Sequence, residues 1–208
     1  MTDKALHKRL LDVCYKKQLH HLGSYFSSLD LIDDIYSKMN FDEDIFILSA
    51  GHSVVALYVV LEKYFGHDAE WLHEKFGDHP KRHEELRIHC STGSLGMGIT
   101  VAVGRALANP KRNVYCMLSD GESTEGSVWE ALRFAYEEKI KNLKIYVNAN
   151  GWGAYDDINL DYLEKRMKAF HPDINFVRTT VEHYGLEGQH AHYTNFNEEQ
   201  YKAALETL

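Results

Sequence analysis

Asn113-Val114-Tyr115-Cys116-Met117-Leu118 running into Ser119-Asp120-Gly121-Glu122, and Leu143-Lys144-Ile145-Tyr146-Val147 running into Asn148-Ala149-Asn150-Gly151, decide the fold. Each is a short β-rich apolar run that stops at a polar, glycine-bearing turn, which reads as a buried strand ending in a loop. Ser127 to Lys139, between them, reads as a helix. This is one βαβ unit. A right-handed crossover places both strand ends on the same edge of a parallel sheet, so Asp120 and Asn150, 30 positions apart, converge on one crevice. A carboxylate and an amide there suit a hard cation and a pyrophosphate.

Outward from that unit the same alternation continues. Leu6, Leu10, Val13 and Cys14 form a helical stripe over residues 3 to 17, with Thr2 or Asp3 as its cap. A second helix follows His20-His21-Leu22-Gly23, with Ser28 able to cap it and Leu29, Ile32, Ile35, Tyr36 and Met39 facing inward. Ile45 to Ser49 reads as a buried strand ending at Ala50-Gly51-His52, and Val54 to Phe65 as a helix closed by Gly66. Glu70 to Phe76 is a short helix, and residues 77 to 92 a polar loop over a site edge. Met97 to Ala108 is an apolar helix in which Gly98, Ala102, Gly104 and Ala106 permit close packing, stopped by Asn109-Pro110. A helix at Leu160 to Phe170, a strand at Ile174 to Thr180, a histidine-rich loop and a helix from Glu198 complete the order. The expected class is α/β, a parallel sheet with helices on both faces.

Composition narrows the function. The 208 residues are 44% hydrophobic without a Pro/Gly/Ser-rich linker, which favours one domain over residues 1–208. A net charge of −8 with no basic stripe argues against nucleic acid and against an anionic membrane surface. The N-terminal residues lack a continuous apolar targeting core, and no segment approaches membrane-spanning length, so a soluble, cytoplasmic protein is expected. Cys14, Cys90 and Cys116 have unrelated spacings and read as packed free thiols.

Three groups of residues could carry chemistry. Thr92-Gly93-Ser94-Leu95-Gly96-Met97-Gly98 opens a helix, where unpaired N–H groups can receive a phosphate, although the same glycines could serve helix packing alone. Asp120-Gly121-Glu122 with Asn150 is the stronger signal: magnesium takes one or two protein carboxylates or amides, a backbone carbonyl and the ligand's phosphates. Gly121 lets the chain turn beneath a diphosphate, and Gly151 lets the Trp152 carbonyl swing inward; the bland alternative is two ordinary strand-end turns. His21, His52, His79 and His192 lie where element ends gather and could move protons. A zinc site from His79, His83 and His89, or from His190 and His192, lacks a metal-like ligand set. Glu125 begins the helix after Asp120, where a carboxylate also suits the helix dipole.

These stretches resemble a known family. His-Leu-Gly-Ser at 21 to 24, Ile-Leu-Ser-Ala-Gly-His at 47 to 52, Ser-Thr-Gly-Ser-Leu-Gly-Met-Gly at 91 to 98 and Ser-Asp-Gly-Glu-Ser-Thr-Glu-Gly-Ser-Val-Trp-Glu-Ala at 119 to 131 are similar, in order and spacing, to the N-terminal half of transketolase. The resemblance is specific from about residue 5 to residue 155 and then loosens, Tyr155 to Val177 reading as a shortened segment, before an end that resembles the close of that half in split transketolases. Ser119 stands where the family's first glycine of Gly-Asp-Gly is usual.

The resemblance implies the diphosphate-binding subunit of a thiamine diphosphate enzyme. Asp120, Asn150 and the carbonyl of Trp152 would bind Mg2+, for which Ca2+ or Mn2+ could substitute, with His52, Gly93, Ser94, Leu95, Gly121 and Glu122 on the cofactor. His21, His79 and His192 would handle substrate protons, and Glu125, counted with them among the catalytic candidates, would sit at the contact with a pyrimidine-binding partner domain. That pyrimidine-binding domain is absent from these residues, so a C-terminal transketolase subunit is expected as partner in a heterotetramer, moving a two-carbon ketol unit between sugars or sugar phosphates. The rivals are a deoxyxylulose-phosphate-synthase-like carbon–carbon bond-forming enzyme with the same cofactor, and a non-catalytic scaffolding subunit.

Overall fold

The computed structural model describes residues 3–153 and 156–208. Its elements are α1 (Lys4–Lys17), α2 (Leu22–Lys38), β1 (Ile45–Leu48), α3 (Val54–Phe65), α4 (Ala69–Phe76), α5 (Met97–Ala108), β2 (Val114–Ser119), α6 (Gly126–Glu137), β3 (Leu143–Ala149), β4 (Trp152–Gly153), β5 (Asp156–Asp157), α7 (Leu160–Phe170), β6 (Asn175–Arg178), α8 (His190–Tyr193) and α9 (Glu198–Thr207). The four main strands form a parallel sheet in the order β1-β2-β3-β6. β4 and β5 pair separately and antiparallel.

Side-chain alternation along the strands builds two cores. Phe46, Leu48, Tyr115, Met117 and Tyr146 pack into the layer of α1 to α4. Ile45, Ile47, Val114, Cys116, Leu118, Ile145 and Val147 point the other way, onto α5, α6 and α7. A strand covered on both faces needs apolar residues at every position, which is why 114 to 118 reads as a continuous run. Each buried Val, Leu or Ile contributes about 1.5–3 kcal/mol relative to exposure. Cys14, Cys90 and Cys116 are free and buried, as their spacing implied. Among the described residues no helix is long and apolar enough to cross a membrane.

Local signals explain most boundaries. Asp3 caps α1 by accepting from the Ala5 and Leu6 N–H groups at 3.1 and 3.2 Å; Thr2, the alternative cap, lies outside the described residues. Gly66, at φ 72°, ends α3 in the left-handed conformation.

The second helix departs from expectation. It begins at Leu22, so Ser28 is no cap: its hydroxyl donates to the Ser24 carbonyl at 2.6 Å, inside the helix. Ser27 and Ser28 are buried inside the helix, and their hydroxyls bond back to the Ser24 carbonyl of the preceding turn, which is compatible with helix. The last strand is shorter than Ile174 to Thr180, and the histidine-rich segment holds the one-turn helix α8. Gly98 and Gly104 also divide. A Cβ on Gly98 would lie 2.5 Å from the Ser49 Cα, whereas one on Gly104 would meet nothing within 4 Å.

Candidate functional site

β2 and β3 run in register, Ser119 opposite Asn148, so their C-terminal turns stand side by side. Asp120 is fully buried there. Its Oδ1 accepts from the Gly121 N–H at 3.0 Å and its Oδ2 from the Gly151 N–H at 2.6 Å. Asn150 Oδ1 accepts from the Trp152 N–H at 3.0 Å. Gly151, at φ 88°, turns the chain back, and the Trp152 carbonyl oxygen lies 3.8 Å from where a Gly121 Cβ would sit. One carboxylate, one amide oxygen and one main-chain carbonyl therefore gather at one sheet edge.

Burial pushes the Asp120 carboxyl up to about 7, against the lowering effect of the backbone N–H groups around it. Among the described residues no Lys or Arg side chain pairs with it. A buried carboxylate without a cationic partner is costly, and a divalent ion would offset that cost. Hard oxygen donors with a single carboxylate fit magnesium when a diphosphate supplies the remaining charge. No group of three His, Cys, Asp or Glu side chains among the described residues could hold a metal, and His89 Nδ1 is engaged by Glu84 Oε2 at 2.6 Å.

A cavity of about 280 Å³ opens beside these oxygens, lined among others by His21, His52, His79, Leu95, Asp120, Gly121, Asn150, Trp152 and His192. Four imidazoles from four separate stretches of chain thus meet at one mouth. His21 sits at the N-terminus of α2 with φ 58°, its N–H donating to the His192 carbonyl at 3.1 Å. His192 Nδ1 is 3.3 Å from Ser24 Oγ, and its Nε2 is buried with no protein partner among the described residues. Burial and the neighbouring imidazoles of His21, His192 and His79 hold His52 down to about 3. Burial lowers His21 and His192 as well. These rings are neutral near pH 7, the state able to accept a proton.

Two glycines set the approach. Gly93, at φ 148°, leaves room for the His79 ring, whose Cδ2 would be 2.9 Å from a Cβ there. A Cβ on Gly51 would lie 2.8 Å from the Gly93 N atom.

Four candidates, Gly93, Ser94, Glu122 and Glu125, fall outside the cavity lining. Glu122 is fully buried, but its Oε1 accepts from Ser49 Oγ at 2.7 Å and the Gly96 N–H at 2.9 Å, and its Oε2 from the Ser119 N–H at 3.0 Å. It joins the ends of β1 and β2 to the start of α5, so both oxygens already have protein donors and Glu122 lies outside the cavity lining. It also takes the N–H just ahead of α5, so the helix start is partly neutralised by the protein's own carboxylate. Ser94 is exposed beside the cavity. Glu125 is exposed at the start of α6, against Gly96.

The sequence reading missed the residues that hold the asparagines. Ser27 Oγ accepts from Asn148 Nδ2 at 3.0 Å and Asn150 Nδ2 at 3.2 Å, and Asn148 Oδ1 accepts from Thr179 Oγ1 at 2.6 Å. Ser24, Thr124 and Tyr193 also line the cavity. The one sequence signal was the cluster of serines among the apolar residues of the first half of α2. A wider cleft of about 530 Å³, where β3 and β6 begin, contains none of the candidate residues.

A family model described as transketolase, thiamine diphosphate binding domain, matches residues 27–186. The chain is 30% identical over 190 aligned residues to one named subunit of the apulose-4-phosphate transketolase of Actinobacillus succinogenes, covering 78% of this chain and 69% of that protein. It is 31% identical over 189 residues to the 6-deoxy-6-sulfo-D-fructose transketolase subunit SqwG of a Clostridium species, covering 80% and 69%. Against the transketolase of Pongo abelii the identity is 38% over 142 residues, 61% of this chain and 23% of that one. The crystal structure of Campylobacter jejuni transketolase superposes with a TM-score of 0.69 at 20% identity, covering 100% of this chain and 43% of that chain. The last likeness is one of fold, and this chain spans less than half the length of that structure.

Proposed function

Because the chain belongs to the transketolase family through its thiamine diphosphate-binding domain, we propose that it is the diphosphate-binding subunit of a two-component transketolase, moving a two-carbon ketol unit from a ketose to an aldose. The observation that carries this reading is the meeting of Asp120, Asn150 and the Trp152 carbonyl with four imidazoles at one cavity. Thiamine diphosphate, when bound, supplies the carbanion chemistry that such a transfer needs. The chain's own residues bind, orient and move protons.

Asp120, Asn150 and the Trp152 carbonyl hold Mg2+, and Gly121 and Leu95 border the cofactor. Ser27 accepts from the Asn150 Nδ2 and so fixes the orientation in which the Asn150 Oδ1 is offered to the metal, while the Asn148 amide is held between Ser27 and Thr179. The rings of His21, His79 and His192 take and return protons at the hydroxyl and carbonyl oxygens of the sugar, and His52 borders the cofactor. A second polypeptide supplies the pyrimidine-binding domain; the naming of the Actinobacillus and Clostridium relatives as subunits supports this arrangement. Glu125, exposed at the start of α6, meets that partner in a heterotetramer. The substrates are sugars or sugar phosphates, and the complex works in the cytoplasm.

The test is calorimetric titration of thiamine diphosphate with Mg2+ into the chain co-expressed with a pyrimidine-domain partner, comparing wild type with Asp120→Ala. Saturable binding that the substitution abolishes is expected, followed by ketol transfer in a ketose/aldose screen. No binding in an assembled complex would favour a scaffolding subunit instead.

A further inference from the structure

His7 lies on α1, remote in sequence from the cavity residues, yet it is 3% exposed and bonded at both ring nitrogens. Its Nε2 is 2.9 Å from Asp30 Oδ1 on α2, and its Nδ1 is 2.9 Å from the Tyr184 hydroxyl. The carboxylate can only accept, so Nε2 carries a proton and donates to it, and Nδ1 shares the second hydrogen bond with the Tyr184 hydroxyl, which can accept or donate. The chain Tyr184 to His7 to Asp30 is thus continuous and ends on a half-exposed carboxylate.

The tyrosine end of this relay governs a wall of the cavity. Tyr184 (φ 55°) and Gly185 (φ 77°) are consecutive left-handed residues, a conformation a tyrosine rarely adopts unless its surroundings hold it there. Its ring packs edge-on against Phe26 at 5.0 Å. Beyond it the chain is pressed onto the site: a Cβ on Gly188 would lie 2.9 Å from Cζ2 of Trp152, and one on Gly23 would lie 2.8 Å from the Ala191 Cβ. His192 and Tyr193 follow and line the cavity.

We propose that Tyr184 is a positioning residue: through His7 and Asp30 it fixes residues 181–193 across α2, and so sets where the His192 imidazole stands at the cavity mouth. The inference rests on the transketolase reading only where turnover is measured. Tyr184→Phe keeps the ring on Phe26 and removes the hydroxyl.

The first measurement is the imidazole 15N–1H spectrum of the full chain for wild type, Tyr184→Phe, His7→Phe and the double variant. The His192 and His21 signals shift in each single variant, and the double variant shifts them no further than either alone, because both substitutions break one link. Unchanged His192 signals together with a lowered melting temperature would make the relay a brace for the fold alone and overturn the proposal. Should Tyr184→Phe fail to fold, Asp30→Asn at the half-exposed end carries the same test, with a smaller shift expected and an unchanged spectrum overturning the inference. In the complex with its partner, Tyr184→Phe lowers kcat by about ten- to a hundredfold, the scale of a small misplacement of a reacting group, while thiamine diphosphate affinity holds within about twofold. Absence of ketol transfer in the wild-type complex too would count against the transketolase reading and leave the spectra to decide the relay.

Discussion

The Asp120 carboxylate accepts a 2.6 Å hydrogen bond from the Gly151 N–H, so the residue that follows β2 and the turn that follows β3 form one unit. The carboxylate orients the turn that brings the Trp152 carbonyl inward, and it carries the site's negative charge. Asp120→Asn keeps an acceptor for one of its two N–H donors and removes the charge. The chain should stay folded, because a buried carboxylate without a cationic partner has been neutralised. Magnesium-dependent thiamine diphosphate affinity should fall about a hundredfold, on the order of 3 kcal/mol for a lost charged contact. Calorimetry and a melting curve on the same preparation check both, and unchanged affinity would remove Asp120 from the proposed metal ligands.

Glu122 is predicted to matter for stability first and for the cofactor only second. Three donors, Ser49 Oγ and the N–H groups of Gly96 and Ser119, converge on its two oxygens. Glu122→Gln turns one acceptor into an NH2 group facing a buried donor, costing about 1–3 kcal/mol. Urea unfolding should show a lower midpoint with an unchanged slope. A variant as stable as wild type would contradict the brace.

Gly98 and Gly104 give a paired test on one helix. Gly98→Ala drives a Cβ to within 2.5 Å of the Ser49 Cα, so α5 must move off β1 at a cost of about 1–3 kcal/mol. Gly104→Ala meets open space inside a helix and should stabilise by about 0.5–1 kcal/mol. Thermal melts of the two variants should therefore move in opposite directions.

The histidine cluster predicts an acid-sensitive fold. His52 is held down to about 3, below its unfolded value, so between those pH values the unfolded chain binds a proton that the folded chain does not. Its contribution to stability is fully present above the unfolded value of about 6.5 and is lost as pH falls towards 3. His21 and His192, also lowered, act with the same sign. His52→Asn should lose less melting temperature than wild type between about pH 7.5 and pH 5. Parallel losses in the two proteins would show that His52 is not held down by its surroundings.

Much of the site was legible because strand polarity is written locally. Apolar runs ending in Asp120-Gly121 and Asn150-Gly151, separated by one helix, can close only as a right-handed parallel unit, so the two polar ends share an edge. His21, His52, His79 and His192 likewise lie at element ends and line one cavity. Other roles depend on partners distant in sequence. Glu122 reads like a cofactor residue because it follows Asp120-Gly121, and only the approach of Ser49 and Gly96 makes it a brace. Ser27 has no local mark of its role until the end of β3 arrives beside it.

The sequence alone therefore determined the class of fold and the pairing of the strands that end at Asp120 and Asn150, since periodicity and turn chemistry are properties of neighbouring residues, and its motifs carried the likeness to a family. The tertiary structure decided which buried polar groups face the cavity, which glycine is crowded, and that His7 on the first helix reaches Tyr184 near the end of the chain. Those outcomes depend on where a side chain points once helices pack on both faces of the sheet, and hydrogen bonds between residues 26 to 177 positions apart leave no mark in local pattern.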